Sequence, residues 1–574
     1  MNKLEKLKKL FKIYNIDGYL VPKNDEFFGE YANIKYDRLN YISNFSGSAG
    51  YALILKQKSY LFVDGRYTLQ AKKEADKSFK IINIHANKPS ELIFKHKKKI
   101  KIGFDPRLFS EHIIIKIFQA KNATLVPIEK NLIDSIWLNK PSEKIKKFFI
   151  LNTKDAGKKF VDKINIVCKI LKKENATKLL ITSPENIAWI LNIRGQDSKF
   201  SPVPNCHAIL DYKKKITLIV DERKISRKFR LKFKNYLSYI NPSDIHRYFK
   251  NLNNNTTFLI DKFSCSFYYK KQIKNKFRFI EKIDPIFFLK AKKNKVEINN
   301  FIKSHILDGV ALTKFIYWIK KNINKLKITE VSAKNKLEEF RKQNISYKFP
   351  SFNTISSAGP NGAIVHYKVN NKTNRLIKKK DIYLCDSGGQ YHYGTTDVTR
   401  TICFSRQPKR IINIFTKVLK GHINVVTYQL NKKTTGEKID KVARAPLKKI
   451  GLNYDHSTGH GVGYFSNVHE GPQAISKSNK IKLTEGMILS NEPGFYKTNE
   501  FGIRIENLIF IKKNKKKLKF ENLTLAPIEK NLIDFSLLNN KETKYLYNYH
   551  KKVYYTLSPY LKNKEKIWLR SFFQ

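Results

Sequence analysis

The sequence predicts two α/β units, then an α+β unit and a helical tail, on three observations. Apolar segments of strand length alternate with amphipathic segments of helix length up to about Lys290. From Ser351 to Phe510 the pattern becomes strand-rich, glycine-rich and poorer in lysine. The length, 574 residues, accommodates roughly three or four domains of about 100–200 residues, each with its own core.

In order along the chain, Leu4, Leu7, Leu10, Phe11 and Tyr14 recur at helical spacing, and the strand Gly18–Val21 follows, stopped by Pro22. Tyr51–Leu55 and Tyr60–Arg66 read as strands joined by the turn Lys56–Ser59. Ala123–Ser142 closes this unit with a strand, a helix start and a proline. The second unit repeats the alternation: a helix over Lys158–Ala176, the strand KLLITS, a helix start at PENIAWIL, then strands at Ile216–Asp221 and Thr256–Asp261. The two units are therefore expected to share a fold. A third unit starts near Lys292 with one long helix, Lys295–Ile323, whose stripe is Ile298, Ile302, Ile306, Val310 and Phe315. Thr329 and Ser332 mark the start of another helix. The tail from about Phe520 to Gln574 is aromatic, basic and mostly helical in pattern. The octapeptide PIEKNLID occurs twice, at Pro127–Asp134 and Pro527–Asp534. That is too short for a solenoid repeat, and it is assigned no chemistry.

Hydrophobic residues at 41% and aromatics at 13% rule out a wholly disordered or low-complexity chain. The net charge of +64 invites a nucleic-acid partner. The lysines, however, are spread over the whole length, most in runs typical of solvated loops, such as Lys98–Lys101, Lys378–Lys380 and Lys512–Lys519. Nucleic acid is therefore not the expected partner. Cys168, Cys206, Cys265, Cys385 and Cys403 are odd in number and lack CxxC spacing, against a disulfide framework or a thiolate zinc site. The lysine-studded N-terminus has no apolar stretch of signal-peptide type, and no run approaches about 18 apolar residues. The expectation is a cytoplasmic protein without a membrane partner.

Three clusters carry chemistry. IYLCDSGGQYHYGTTDVTRTICF holds Asp386 and Asp397, with Gly388, Gly389 and Gly394 between them. As a hairpin turning near Tyr391–His392, it places the two aspartates roughly opposite each other on one face. Burying two unpaired carboxylates there costs several kcal/mol unless a cation lies between them. HSTGHGVGYFSNVHEGP carries His456, His460, His469 and Glu470; its glycines match neither a P-loop nor a dinucleotide fingerprint. MILSNEPGFYKTNEFGIRIENLIF carries Glu492 and Glu506 around a hairpin, with Arg504 on the face of Glu506 and a salt bridge of Arg504 to either glutamate as the bland reading. Four carboxylates with imidazole favour Mn²⁺, Zn²⁺, Co²⁺ or Fe²⁺. They are too many for one divalent ion, and they suit a pair of the kind that activates water for hydrolysis.

Asp386, Asp397, His460, Glu492 and Glu506 match the ligand pattern of the pita-bread metallopeptidases. FPSFNTISSAGPNGAIVHY, DSGGQYHYGTTDVTRT, STGHGVG, NVHEGP and NEPGFY…FGIRIEN resemble the large, three-domain aminopeptidase P. So do FSGSAG, VDGRYTLQA and WILNIRG further upstream, and the likeness spans nearly the whole chain. The resemblance implies two creatinase-like N-terminal α/β domains (1–140 and 141–290), a pita-bread α+β catalytic domain (291–515) and a C-terminal extension (516–574). It implies two divalent cations, first of all Mn²⁺, with Zn²⁺ or Co²⁺ as alternatives. In that scheme Asp386 and Asp397 hold the first, His460 and Glu492 the second, and Glu506 bridges them with Asp397. Glu492 is implied as general base, His366 and His469 as catalytic and substrate-orienting histidines, and His456 as a pocket histidine. Arg504 would orient a ligand carboxylate, and Arg194 would contact substrate. The implied reaction releases the first residue from Xaa-Pro peptides by attack of a hydroxide held by both metals, in a homodimer. Prolidase, restricted to dipeptides, fits less well because of the extra N-terminal domain and the tail. A metal-free creatinase-like relative or a nucleic-acid binder would have no reason to keep all five ligands.

Overall fold

The computed structural model describes residues 2–95, 98–142, 144–371, 373–515 and 517–574. Lys516, in the last basic run and first in the expected extension, lies outside them. The chain forms two compact units, Met1–Phe288 and Leu289–Gln574.

The first unit contains two six-stranded sheets of one topology. In space, the first runs Phe79–Asn83, Ser59–Val63, Tyr51–Leu55, Gly18–Pro22, Ile100–Phe104, Ala123–Pro127. The second runs Leu237–Ile240, Ile216–Ile219, His207–Asp211, Lys178–Ile181, Thr257–Asp261, Arg278–Lys282. Corresponding neighbours pair in the same sense: three parallel and two antiparallel ladders in each. The expected kinship of the two α/β regions is thus visible in strand order. Parallel ladders need crossovers, and helices such as Glu111–Phe118 and Phe267–Lys274 supply them.

The second unit surrounds its sheets with helices. The long helix runs Lys295–Asn322, started by an Asn294 capping box. Its buried face is Phe301, Ser304, His305, Asp308, Leu312, Phe315, Ile316 and Ile319, and Ile302 stands 39% exposed. The stripe drawn from apolar spacing is therefore rotated from the true one. His305 and Asp308 occupy core positions as bonded polar groups, which a hydrophobicity pattern does not count. Thr329 and Ser332 do form a capping box, at the helix Glu330–Lys342.

Three sheets position the site. One three-stranded sheet is Ile355–Ala358, Ile382–Ser387, Val398–Cys403, and a five-stranded sheet runs Glu470–Ile475, Gly459–Gly461, Ile488–Asn491, Asn507–Asn514, Lys517–Asn522. Between Ile488–Asn491 and Asn507–Asn514 lies the hairpin Gly494–Lys497 with Phe501–Arg504. The tail forms helices Asn540–Leu557 and Asn563–Arg570, which pack Leu546, Tyr549, Val553 and Leu569 into a core with Phe415, Leu419 and Ile503. The five cysteines, all among the described residues, are free and buried. Among the described residues no helix is long and apolar enough to cross a membrane. The lysines of the basic runs that are described are exposed; Lys512, Lys513, Lys517 and Lys519 lie on strands rather than in a loop.

Candidate metal centre

Asp386 stands on Ile382–Ser387, which pairs antiparallel with Val398–Cys403 so that Asp386 faces Thr399. Asp397 lies two residues before Thr399 and, by strand alternation, on the same face. The aspartates share a face as expected but are diagonal rather than opposite. Between them the chain builds a small separate ladder, Gly389–Tyr391 against Gly394–Thr395. Its turn is at His392–Tyr393, one residue beyond the expected place. The crossing point is tight: a Cβ on Gly388 would lie 1.9 Å from the Thr396 carbonyl oxygen.

His460 is carried by Gly459–Gly461, where a Cβ on Gly459 would come within 1.9 Å of the Ser490 carbonyl oxygen. Glu492 follows Ile488–Asn491 and Glu506 precedes Asn507–Asn514; the Asn491–Asn507 pair is the last rung between those strands. Past it the ladder opens. Glu492 N–H donates to the Thr458 carbonyl at 2.8 Å, and Glu506 N–H to the Thr399 carbonyl at 3.2 Å. The second bond ties the glutamate strand to the aspartate strand, so residues over a hundred positions apart converge.

Ligand atoms of Asp397, His460 and Glu506 all lie within 4.8 Å of one another. His460 Nε2 is 3.4 Å from both Asp397 Oδ2 and Glu492 Oε1. Its Nδ1–H donates to the Gly461 carbonyl at 2.9 Å, which leaves Nε2 facing the carboxylates. Ser490 receives the His460 amide at 2.9 Å and donates to Glu492 Oε1 at 2.9 Å.

Arg504 does not bridge to a glutamate, as the bland reading had it. Its Nη2 donates to Asp386 Oδ2 at 2.6 Å and its Nε to Thr399 Oγ1 at 3.0 Å, and Thr399 in turn donates to Glu506 Oε2 at 2.8 Å. The backbone of Arg504 is tied to Thr401 of the aspartate sheet, whose hydroxyl accepts from the Arg504 amide at 3.0 Å, a contact that sequence spacing cannot show. Arg504 Nη1 also donates to Tyr496 Oη at 2.6 Å, leaving the tyrosine proton for His456 Nε2 at 2.9 Å, while His456 Nδ1–H donates to the Ser457 carbonyl at 2.8 Å.

The charges do not balance. Burial, reinforced by Asp397 and Glu492, pushes the Asp386 carboxyl up to about 7 despite Arg504. Burial and the neighbouring carboxylates raise Glu492 and raise Glu506 well above its ordinary range. Burial alone would lower His460, but Asp397 and Glu492 outweigh it and lift it to about 9. Asp386 Oδ1 is buried without a hydrogen-bond partner. A cluster of acids short of positive charge, with an orphaned oxygen and an imidazole nitrogen turned inward, fits divalent cations.

The other expected residues divide. The His469 ring packs edge-on against His460, centroids 4.2 Å apart. His366 is half-buried after the turn Gly359–Ala363, whose Gly362 abuts Gly502 on the Arg504 strand. Glu470 is held by Lys293 and, at 3.2 Å, by Lys290, all three buried. Arg194 belongs to the first unit, where its Nη1 donates to the Ala188 and Ile193 carbonyls. Sequence reasoning missed Thr399, Ser490 and Tyr496. Period-two spacing from Asp397 would have put Thr399 on the ligand face; Tyr496 lay unremarked inside the NEPGFY string.

The profile of metallopeptidase family M24 matches residues 299–513, and its C-terminal region matches 516–572. Creatinase/prolidase N-terminal domain profiles match 3–136 and 139–297. A probable Xaa-Pro aminopeptidase P of Laccaria bicolor is 38% identical over 99% of this chain and 92% of its own length. Xaa-Pro aminopeptidase 1 of Dictyostelium discoideum is 36% identical over 99% of this chain and 95% of its own. The X-prolyl aminopeptidase of Caenorhabditis elegans, a cytosolic enzyme with a di-nuclear active site, superposes with a TM-score of 0.94 at 30% identity, covering 100% of this chain and 99% of that one. With its paired creatinase-type domains, its M24 region and its full-length likeness to these enzymes, the chain belongs to the aminopeptidase P branch of metallopeptidase family M24.

Proposed function

We propose that the chain is a metal-dependent aminopeptidase that releases the N-terminal residue from peptides with proline second. The observation that carries this reading is the convergence of Asp386, Asp397, His460, Glu492 and Glu506 in a buried cluster lacking balancing positive charge. Two divalent cations suit it: Asp386 and Asp397 would hold one, His460 and Glu492 the other, with Glu506 and Asp397 shared. Mn²⁺ is the first choice, Zn²⁺ and Co²⁺ the alternatives. When bound, such a pair supplies Lewis acidity that makes water a nucleophile near neutral pH and polarises the scissile carbonyl.

The side chains do the rest. Glu492, oriented by the Ser490 hydroxyl, accepts the proton of the attacking water. His366 and His469 orient the substrate and return a proton to the proline nitrogen as it leaves. An X–Pro bond has no N–H, so a pocket must hold the ring itself; His456, fixed by Tyr496, is assigned to that pocket. Arg504 holds Asp386 and, through Thr399, Glu506 in orientation. No step is assigned to Arg194. The same reading divides the chain at about residues 140, 290 and 515, and makes it a cytoplasmic homodimer, which light scattering tests. Chelator-stripped protein assayed on Arg-Pro-Pro and on an Xaa-Pro dipeptide tests the activity. Metal-dependent cleavage of the tripeptide is expected; cleavage of dipeptide alone would replace the reading with a prolidase.

A further inference from the structure

We propose that His422 is a positioning residue for the metal centre, a buried imidazole that fixes the strand end from which Glu492 projects. The inference rests on the dinuclear reading above. His422 lies on the helix Lys409–Val426 and is fully buried. Its Nδ1 is 3.1 Å from the Asn491 carbonyl oxygen, and Asn491 Nδ2 donates back to the His422 carbonyl at 2.9 Å. Nε2 makes no hydrogen bond. Asn491 is the residue immediately before Glu492.

The place matters. The ladder between these strands ends at Asn491–Asn507, so carbonyls at the opening need a donor from elsewhere. His422 supplies it from a helix that cannot easily shift: a Cβ on Gly421 would lie 2.3 Å from the Ala443 carbonyl oxygen of the helix Gly436–Lys448. Burial, with Arg400 nearby, holds the imidazole down to about 3, so the ring is neutral and has one N–H to give. A short, rigid, neutral donor behind Asn491 fixes the strand end that carries Glu492 without adding charge to the cluster.

The test compares chelator-stripped wild type, His422→Phe, His422→Asn and His422→Gln, with Mn²⁺ affinity by calorimetry, thermal unfolding, and kcat and KM on Arg-Pro-Pro. His422→Phe is expected to bind Mn²⁺ about 10–100-fold more weakly, as loss of groups that orient ligands does. Its kcat should fall with KM little changed. His422→Asn, whose amide reaches the Nδ1 position, should recover much of the affinity, and His422→Gln less. Wild-type affinity and kcat in folded His422→Phe, with only the melting temperature lowered, would overturn the proposal. Should His422→Phe not fold, the Asn and Gln variants decide: a lower Mn²⁺ affinity in Gln than in Asn supports it, and wild-type affinity in both overturns it. A wild type that binds no cation and cleaves nothing would sink the dinuclear reading and this inference together. An active wild type beside an unaltered His422→Phe sinks the inference alone.

Discussion

The strand Ile382–Ser387 meets charged groups on both faces, and the two faces are built on different terms. Toward one, Ser387 accepts from Arg341, which pairs with Asp308 at 2.8 Å, and Tyr391 donates to the same aspartate at 2.7 Å. One acid meets one base there, all buried. Toward the other, Asp386, Asp397, Glu492 and Glu506 share Arg504 and His460. The first cluster balances its charge within the chain, although Arg341 Nη1 is left without a hydrogen-bond partner. The second is complete only when positive charge is added from outside, the condition of a site that recruits cations.

The largest expected effect falls on the unbalanced face. Asp397→Ala should cut kcat/KM for Arg-Pro-Pro by about 10⁴-fold, since misplaced cations forfeit several kcal/mol of charge stabilisation. The metal-free variant should melt no lower than wild type, because a mutual repulsion has gone. Near-normal turnover would break the comparison.

On the balanced face the cost is stability. Arg341→Met leaves Asp308 buried without its cation and should lose about 3–5 kcal/mol in urea unfolding. Pairing it with Asp308→Leu should recover most of that loss. If the single variant unfolds like wild type, Asp308–Arg341 is no structural pair.

A pH series sharpens the contrast. In metal-free protein the Asp386 carboxyl is raised to about 7 from an ordinary 3.8. The folded state therefore holds a proton that the unfolded chain releases above about pH 4, and stability falls as pH rises through that window. Asp386→Asn cannot show this loss. Its stability advantage over wild type should widen between about pH 4 and 7 and then level off, and saturating Mn²⁺ should reverse its sign. A pH-independent gap would count against a protonated Asp386.

The smallest effects come from the two PIEKNLID copies. Asp134 bonds the buried Arg38 guanidinium at 2.9 and 2.8 Å, so Asp134→Ala should cost about 1.5–3 kcal/mol. Asp534 caps only the exposed turn at Ser536, and Asp534→Ala should stay within about 0.5 kcal/mol. Equal losses would mean that the octapeptide acts by its own sequence.

Much of the site was legible because the residues that matter sit in short, unusual strings. Asp386 and Asp397 flank a glycine-rich turn, His460 stands between glycines, and Glu492 precedes Pro-Gly. Thr399, Ser490 and His422 were not legible. They are ordinary strand and helix residues, and their roles arise from partners such as Glu506 and Asn491, 107 and 69 positions away. Arg400 is the extreme case. It lies beside Thr399, yet it donates to the Glu506 carbonyl and to Ala526, Pro527 and Tyr549, and so fastens the C-terminal region to the glutamate strand.

The octapeptide separates the two kinds of information. In both copies the apolar positions are buried: Ile128 and Ile528, Leu132 and Leu532, Ile133 and Ile533. The sequence alone determined that much, because removal of apolar surface from water needs no particular partner or direction. The polar positions diverge. Asn131 is buried, caps the helix Leu132–Ile136 and donates to Asp105, while Asn531 is exposed. Glu129 is 60% exposed, while Glu529 is buried and pairs with Lys320 at 2.6 Å. Their fate was decided by tertiary structure, since a buried polar group is tolerated only where a partner of matching geometry waits, and that partner comes from elsewhere in the chain.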